Sequence, residues 1–196
     1  LGEGSGFLVL ERASSARSRG ARVLGEVLGW GTSSDAHHAT SPDSTGAGIA
    51  RGHRAALADA GLTAAQVSCY SAHATGTEEN DAAEWRAVQR TFGERAEQLP
   101  VFAVKAFFGH TFGAAGNLEA VVTTLAMERG VLPPTLRFAG PRAVGPRDPI
   151  GEGVPRAVPA SVALTNNSAF GGANCAMVLG RPGTTPAVER PARPVY

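Results

Sequence analysis

The sequence has few cysteines, almost no net charge and no long apolar segment, and each absence excludes a class of protein. Only two cysteines, Cys69 and Cys175, occur in 196 residues, and their spacing matches no metal site. Each lies in an apolar stretch, which is typical of a buried structural thiol. The net charge of +1 gives no basis for predicting a nucleic-acid or anionic-membrane partner.

Long apolar runs are missing as well. No run approaches the roughly 18 residues that are needed to cross a bilayer. No signal peptide is visible, so the sequence predicts a cytoplasmic protein without a membrane partner. The composition, with 43% hydrophobic and 18% charged residues, is typical of a packed core, and the length fits one domain or a large half of one.

Short apolar segments alternate with helical patterns along the chain. Strands are predicted over residues 7–10, 22–30, 67–72, 101–104, 162–164 and 174–179. Helices are predicted over residues 13–19, 46–60, 80–92 and from the small residues 113–116 to 129, the last with an inner face of Leu118, Val121, Val122, Leu125 and Ala126. This alternation predicts a layered α/β fold, with an irregular connection over 131–159 and a Pro-rich tail over 182–196.

Three polar turns follow predicted strands, and short connections would bring them to one edge of the sheet. The first begins at His73, the second runs from Lys105 to His110, and the third contains Phe170. The second turn leads into a helix N-terminus, where free N–H groups and the helix dipole favour negative charge. The turns therefore predict a site that stabilises an anion.

The residue types in these turns indicate a particular chemistry. A neutral imidazole can donate an N–H to a developing oxyanion, so His73 and His110 together suit a reaction that forms an enolate from a thioester. Lys105 could hold a carboxylate or orient a histidine, and Glu84, on the following helix, is its predicted ion-pair partner. Taken singly, each of these residues also fits a structural role.

Substrate contacts are predicted from the same turns. The hydroxyls of Thr75 and Thr77 are suited to an amide-bearing substrate arm. Phe170 is a candidate gate, because Gly171 and Gly172 give the backbone beside it conformational freedom.

Four segments resemble the motifs of one family. Residues 73–84, HATGTEENDAAE, resemble the HGTGT…ND..E motif of the β-ketoacyl synthases, and residues 105–116 resemble their K….GH..GAAG motif. Residues 166–174, NNSAFGGAN, resemble their NS.GFGGTN turn, and residues 2–11 resemble the GEGAG..VLE strand that ends the family's first half. The motifs occur in the family's order over residues 1–181, so the chain is similar to the C-terminal portion of a ketosynthase.

The resemblance implies the thiolase fold, an α/β sandwich of five layers, αβαβα, built from two similar halves. This chain would supply the second half, a mixed five-stranded sheet with flanking helices, and one strand of the first. The missing front half would lie in a companion N-terminal portion, and the completed fold would form a dimer.

The resemblance also implies an activity. In that family a Cys nucleophile of the first half takes an acyl group from acyl carrier protein, and the enolate formed when a malonyl thioester loses CO2 attacks it. By motif, His73 and His110 would be the catalytic histidines, with Lys105 and Glu84 in support. Thr75 and Thr77 would contact the phosphopantetheine arm that the carrier protein delivers, and the gate would be Phe170 with Gly171 and Gly172.

The resemblance has limits that leave alternatives open. Neither cysteine matches the nucleophile position, so no nucleophile is expected in this chain, and no metal or tightly bound cofactor is implied. Ala74 replaces the family's Gly, and Ser168-Ala169 replaces Phe-Gly before Phe170. A malonyl-carrier decarboxylase or acyltransferase on the same fold fits the same residues, as does a non-catalytic partner like the chain-length factors.

Overall fold

The computed structural model describes residues 1–183 of the chain. Its strands range from two to nine residues in length. They are β1 (Glu26–Ser34), β2 (Cys69–Ser71), β3 (Val101–Phe102), β4 (Val131–Leu132), β5 (Arg156–Ala157), β6 (Val162–Ala169) and β7 (Ala173–Gly180). The helices are α1 (Ala13–Ser18), α2 (Ala47–Ala60), α3 (Glu78–Phe92), α4 (Lys105–Phe108) and α5 (Ala115–Arg129).

The main sheet is mixed, as the resemblance implied. Its order is β1-β7-β6-β2-β3, with β1, β7 and β6 antiparallel and with β6, β2 and β3 parallel. Strands β4 and β5 form a separate antiparallel pair. Because β2, β3 and β6 run in the same direction, their C-terminal ends lie at one edge of the sheet, and the three polar turns follow them there.

Helices cover both faces of the sheet. On β2, Tyr70 packs into the cluster formed with α2 and α3, whereas Cys69 packs into the cluster formed with α5. On β6, Leu164 and Ala163 divide in the same way. This alternation along each strand gives the central strands two buried faces, which explains why their sequences read as apolar runs.

Helices α2 and α5 end where the sequence predicts. Gly61 and Gly130 follow them in the left-handed conformation, with φ of 66° at each position, and each caps the helix through its backbone N–H. A glycine takes this conformation without the steric cost that a side chain would add. Ile49, Ala56, Leu57 and Ala60 of α2 are buried.

Several predicted elements were wrong or misplaced. Residues 7–10 pair with no described strand, and Phe7 is 89% exposed. The preceding residues lie against α5 instead, where Gly2 N donates to the His110 carbonyl and Leu118 faces Gly4 and Gly6. A strand requires a neighbouring strand for its hydrogen bonds, and no described strand lies beside this segment.

The other differences concern boundaries and faces. The first long strand runs over 26–34 rather than 22–30, and Lys105 begins the short helix α4 instead of ending a strand. On α5 the predicted inner face was only partly right. Ala126 is buried and Val122 packs against the core, whereas Leu118, Val121 and Leu125 are only half-buried. The helix buries a different set, which includes polar residues and Met127. The predicted tail lies outside the described residues, apart from Pro182 and Gly183. Within the described part of the chain, no helix is long and apolar enough to span a membrane.

Candidate active site

Two of the polar turns bring their histidines together. His73 follows β2 and His110 precedes α5, and their rings lie edge to face, with centroids 5.5 Å apart at an interplanar angle of 89°. His73 is buried and His110 is half-buried. The structure therefore brings the two rings together at one edge of the sheet, as the sequence predicts, and the His110 ring is the more exposed of the two.

Lys105 joins the His73 turn to helix α5. Its ammonium group contacts the Nδ1 of His73 at 3.1 Å, the His73 carbonyl oxygen, and the Glu119 carboxylate. An ammonium has three N–H bonds and no acceptor, so these three partners use all of its hydrogen-bonding capacity. The side chain is buried and held between the turn after β2 and helix α5.

The contact with Lys105 fixes the tautomer of His73. Since Lys105 can only donate, the Nδ1 of His73 accepts, and the proton of the neutral ring lies on Nε2. Burial, followed by the charges of Lys105 and His110, lowers the pKa of His73 to about 3, although a hydrogen bond with the Asn167 side chain opposes the shift. His73 is therefore neutral near pH 7 and presents an Nε2–H donor.

His110 has the same tautomer for a different reason. The backbone N–H of Phe112 donates to its Nδ1 at 3.1 Å, so the proton lies on Nε2. The Phe112 ring stacks on the imidazole, with centroids 4.8 Å apart and planes at 15°. Burial, followed by the positive charge of Lys105, lowers the pKa of His110. The two rings together supply a pair of neutral Nε2–H donors.

The carboxylate that pairs with Lys105 is Glu119, not Glu84 as predicted. Glu119 is buried on α5, contacts Lys105 and accepts a hydrogen bond of 2.8 Å from the Asn167 side-chain amide. Burial raises its pKa, and the Lys105 ammonium opposes that shift. Sequence reasoning missed Glu119 and Asn167, although a glutamate one turn into an apolar helix was a usable signal.

Glu84 holds the backbone of the His73 turn instead. One of its oxygens accepts from His73 N and the other from Ala74 N, each at 2.8 Å. The Tyr70 hydroxyl donates to the first oxygen at 2.8 Å, and the Asn166 amide donates to it at 3.2 Å. Ala74 has φ of 39°, which is unfavourable for a residue with a side chain. The Glu84 carboxylate therefore stabilises a turn in which the backbone conformation of Ala74 is unfavourable.

A cavity borders the outer side of this turn. It has a volume of about 440 Å³ and lies between α3 and the connection over 135–149, and its lining includes Ala74, Thr75, Glu84 and Trp85. The turn is therefore not packed on all sides by apolar residues. Hydrogen bonds to Glu84 and the contact of the Lys105 ammonium with the His73 carbonyl oxygen hold its backbone.

The two threonines follow directly. Thr75 is half-buried and Thr77 is exposed, and their hydroxyl oxygens lie 2.8 Å apart. The Asp81 carboxylate accepts from Gly76 N at 3.2 Å and closes the turn onto the start of α3. Two adjacent hydroxyls at an accessible rim have the chemistry to bond the amide groups of a substrate arm, and this role of Thr75 and Thr77 stays a prediction.

The Phe170 turn joins β6 to β7 at the same edge. The Phe170 ring is 74% exposed, and Gly171 and Gly172 have positive φ values of 82° and 73°. Two backbone hydrogen bonds tie the turn to the loop before α2, from Gly171 N to Ala39 O at 2.7 Å and from Asp35 N to Gly172 O at 2.8 Å. The glycines shape the turn, and the adjacent loop holds it.

Neither cysteine lies in these turns. Cys69 is buried on β2, where burial raises its pKa to about 12, and Cys175 is exposed on β7, where partial burial raises its pKa. A thiol that remains protonated is a poor nucleophile. Among residues 1–183, no group of three or more His, Cys, Asp or Glu side chains is placed to hold a metal ion.

Comparison with known proteins places these features in a family. Residues 24–139 match the family described as Beta-ketoacyl synthase, C-terminal domain. The chain is 39% identical over 179 residues to the 3-oxoacyl-[acyl-carrier-protein] synthase 2 of Synechocystis sp., covering 91% of this chain and 43% of that protein. It is 41% identical to Nodulation protein E of Rhizobium meliloti, with 91% and 44% covered.

Solved structures agree. The ishigamide ketosynthase/chain length factor matches with a TM-score of 0.84 and 41% identity, over 93% of this chain and 44% of that one. A ketosynthase in complex with a type II PKS acyl-carrier protein matches with a TM-score of 0.81 and 29% identity, over 87% and 42%. The chain spans less than half the length of these relatives.

Proposed function

Because this chain belongs to the β-ketoacyl synthase family, whose C-terminal part it covers, we propose that it provides the enolate-stabilising half of a ketosynthase site. The reaction is a decarboxylative Claisen condensation of acyl and malonyl thioesters carried on acyl carrier protein. The observation that carries this proposal is the pair of Nε2–H donors on His73 and His110, together with the buried Lys105 that contacts His73.

The donor pair matches the charge that this reaction develops. When the malonyl thioester loses CO2, the electrons of the broken C–C bond form an enolate whose oxygen carries negative charge. The two Nε2–H groups hydrogen-bond that oxygen, and the fixed Lys105 ammonium lies behind His73. Donors that are positioned before the charge forms stabilise it without a reorganisation cost.

The remaining steps need a group outside this chain. The enolate carbon attacks the acyl thioester of a cysteine, the new C–C bond forms, and the cysteine leaves as thiolate. We assign that cysteine to a companion N-terminal portion, because Cys69 is buried and protonated and neither cysteine of this chain lies in the turns. Residues 1–181 would form the C-terminal portion, and the completed fold would dimerise.

The rim residues suit delivery by a carrier. Thr75 and Thr77 would hydrogen-bond the amides of the phosphopantetheine arm, which acyl carrier protein brings without a tightly bound cofactor. Phe170 would gate the entrance, with Gly171 and Gly172 as its hinge. One matching structure is described as an acyl-carrier protein in complex with its ketosynthase, which supports this choice of partner.

Replacement of each histidine tests the proposal in the complete synthase. His73→Ala or His110→Ala each removes one donor, and we expect ketide formation to fall by about 10²-fold or more. Mass spectrometry of carrier-bound products separates ketide from bare acetyl, so bare acetyl alone from the unaltered protein would indicate a decarboxylase. His37→Ala, on an exposed loop, is the matched control.

A non-catalytic role is the second candidate, since matching structures include chain length factors. In that case both histidine variants would leave turnover of the reconstituted complex unchanged. The buried Lys105–Glu119 pair counts against it, because two desolvated charges stabilise a fold poorly and a scaffold gains nothing from them.

A further inference from the structure

A chain of buried polar groups crosses the outer layer of the fold and ends at Glu84. The Tyr70 hydroxyl donates to Glu84 Oε1 at 2.8 Å, and His53 Nε2 lies 3.3 Å from the same hydroxyl oxygen. On the other side of the ring, His53 Nδ1 lies 3.1 Å from the Thr91 hydroxyl. His53 and Tyr70 are 0% and 1% exposed. The chain joins α2, β2 and α3.

Packing alone does not explain these two residues. Tyr70 lies in an apolar cluster with Ala56, Val88 and Phe92, where a phenylalanine would fill most of the same space. Burying a hydroxyl and an imidazole costs free energy unless their hydrogen bonds are made, and here they are made largely with each other and with Glu84. The hydrogen bonds of His53 and Tyr70 therefore support the Glu84 carboxylate.

The protons of the chain can be ordered only one way at Tyr70. Its single O–H proton is donated to Glu84, so its oxygen can only accept from His53. Burial lowers the pKa of His53 to about 3, so the neutral ring has one N–H, which must lie on Nε2. Nδ1 then accepts from the Thr91 hydroxyl, whose single proton is shared between Nδ1 at 3.1 Å and the closer Ala87 O at 2.8 Å. The His53 Nε2–H therefore points to Tyr70, and the Tyr70 O–H points to Glu84.

We propose that Tyr70 and His53 are positioning residues of the active site. Their directed hydrogen bonds hold Glu84 as an ionised carboxylate, and that carboxylate fixes the backbone of the His73 turn through His73 N and Ala74 N. A protonated Glu84 would lose one acceptor oxygen to its own proton. The turn would then lose a bond that supports Ala74 at its positive φ, and His73 would move relative to His110.

The charged groups around Glu84 make its ionisation dependent on these donors. Burial raises the pKa of Glu84 and Asp81 on the same helix adds to that shift, whereas the bonds from Ala74, His73 and Tyr70 lower it. Lys105 and Glu119 lie beyond the turn and oppose each other as an ion pair. Removing the Tyr70 hydroxyl therefore moves the protonation of Glu84 to higher pH.

The test is a carboxyl ¹³C NMR titration of Glu84 in the folded protein, with the signal assigned by its loss in Glu84→Gln. Tyr70→Phe should raise the midpoint by about one pH unit or more, since the variant removes a hydrogen bond that stabilises the charged form of Glu84. His53→Met should raise it by less and provides a second variant if Tyr70→Phe folds poorly. Phe92→Leu, which alters packing against the Tyr70 ring and leaves the hydroxyl, should not move it.

An unchanged midpoint in both Tyr70→Phe and His53→Met would overturn the proposal. The catalytic consequence rests on the proposed function: in the complete synthase, Tyr70→Phe should lower kcat about tenfold with KM unchanged. The loss should be larger at pH 6 than at pH 8, because Glu84 is protonated first at low pH. A shifted midpoint with unaltered turnover would mean that these hydrogen bonds set the ionisation of Glu84 without positioning His73, and would overturn the positioning role. A complete unaltered synthase that formed no ketide would count against the proposed function instead.

Discussion

Lys105 is the residue on which the geometry of the two histidines depends. It fixes the tautomer of His73, contacts the His73 carbonyl oxygen and binds a carboxylate on the helix that follows His110. One buried ammonium thus connects the turn after β2 to α5. The arrangement is stable only while that charge keeps its counter-ion, because a buried charge without a partner is strongly unfavourable.

Glu119→Gln tests this dependence. We expect the variant to lose about 3 kcal/mol of unfolding free energy, because the buried Lys105 ammonium would no longer have a counter-ion. The double variant Glu119→Gln/Lys105→Met removes both charges and should recover much of that stability without recovering activity. Urea unfolding and turnover would be measured on the same preparations. A double variant as unstable as the single one would show that packing, not charge, causes the loss.

The sequence could place His73, Lys105 and His110 because they follow strands that end at one edge. It could not choose between Glu84 and Glu119 as the partner of Lys105. Each glutamate lies near the start of a helix after one of these turns, and the choice depends on which side of the sheet each helix covers. Helix α3 lies on the Tyr70 side and α5 on the Cys69 side, so Glu119 meets Lys105 and Glu84 meets the backbone of the turn.

At the level of elements, β1 and α2 approach each other unusually closely. A Cβ at Gly31 would lie 2.5 Å from Ala56 N and 2.6 Å from Gly52 O, and one at Gly29 would lie 2.4 Å from Ala60 N. These neighbours are backbone atoms, which cannot rotate away. The strand therefore needs glycine at both positions for the helix to pack on it, and α2 in turn carries His53.

Gly31→Ala should therefore be costly. The added methyl forces α2 away from the sheet, and we expect a loss of about 2–3 kcal/mol in unfolding free energy. Gly113→Ala is the matched control, because nothing lies within 4 Å of the Cβ position there. Denaturant unfolding compares the two variants. Equal stabilities would mean that β1 and α2 separate easily and that the close contact has no energetic importance.

The sequence predicted most helix ends because glycine stop signals are local, as at Gly61 and Gly130. It failed for residues 7–10, where an apolar run of strand length remains unpaired. Whether such a run becomes a strand depends on a neighbouring strand, which is a property of the fold and not of the segment. The strands predicted for β2 and β3 were too long for the same reason, because only the residues that pair with a neighbouring strand form a strand.

At the level of the whole molecule, α5 carries apolar residues on the side that faces away from the sheet. Its sheet-facing side buries Ala120, Ala126 and Met127 together with several polar residues, and its other side presents a half-buried stripe of Leu118, Val121 and Leu125. Apolar residues on a second face suit a helix in the middle of a layered structure. We assign this stripe to contact with the companion portion, which would supply the first half of the five-layer sandwich.

Leu125→Glu tests that assignment. The charge would enter the interface with the companion, so we expect association to weaken at least about tenfold, because an unpaired buried charge costs several kcal/mol. Without the companion the same position is half-exposed, so the unfolding of this chain should change little. Arg54→Glu, on the exposed side of α2, is a charge-changing control that should leave association intact. Co-purification with the companion and sedimentation velocity would measure both. If Leu125→Glu bound the companion as tightly as the unaltered chain, α5 would lie outside the shared core, and the first half would have to pack elsewhere.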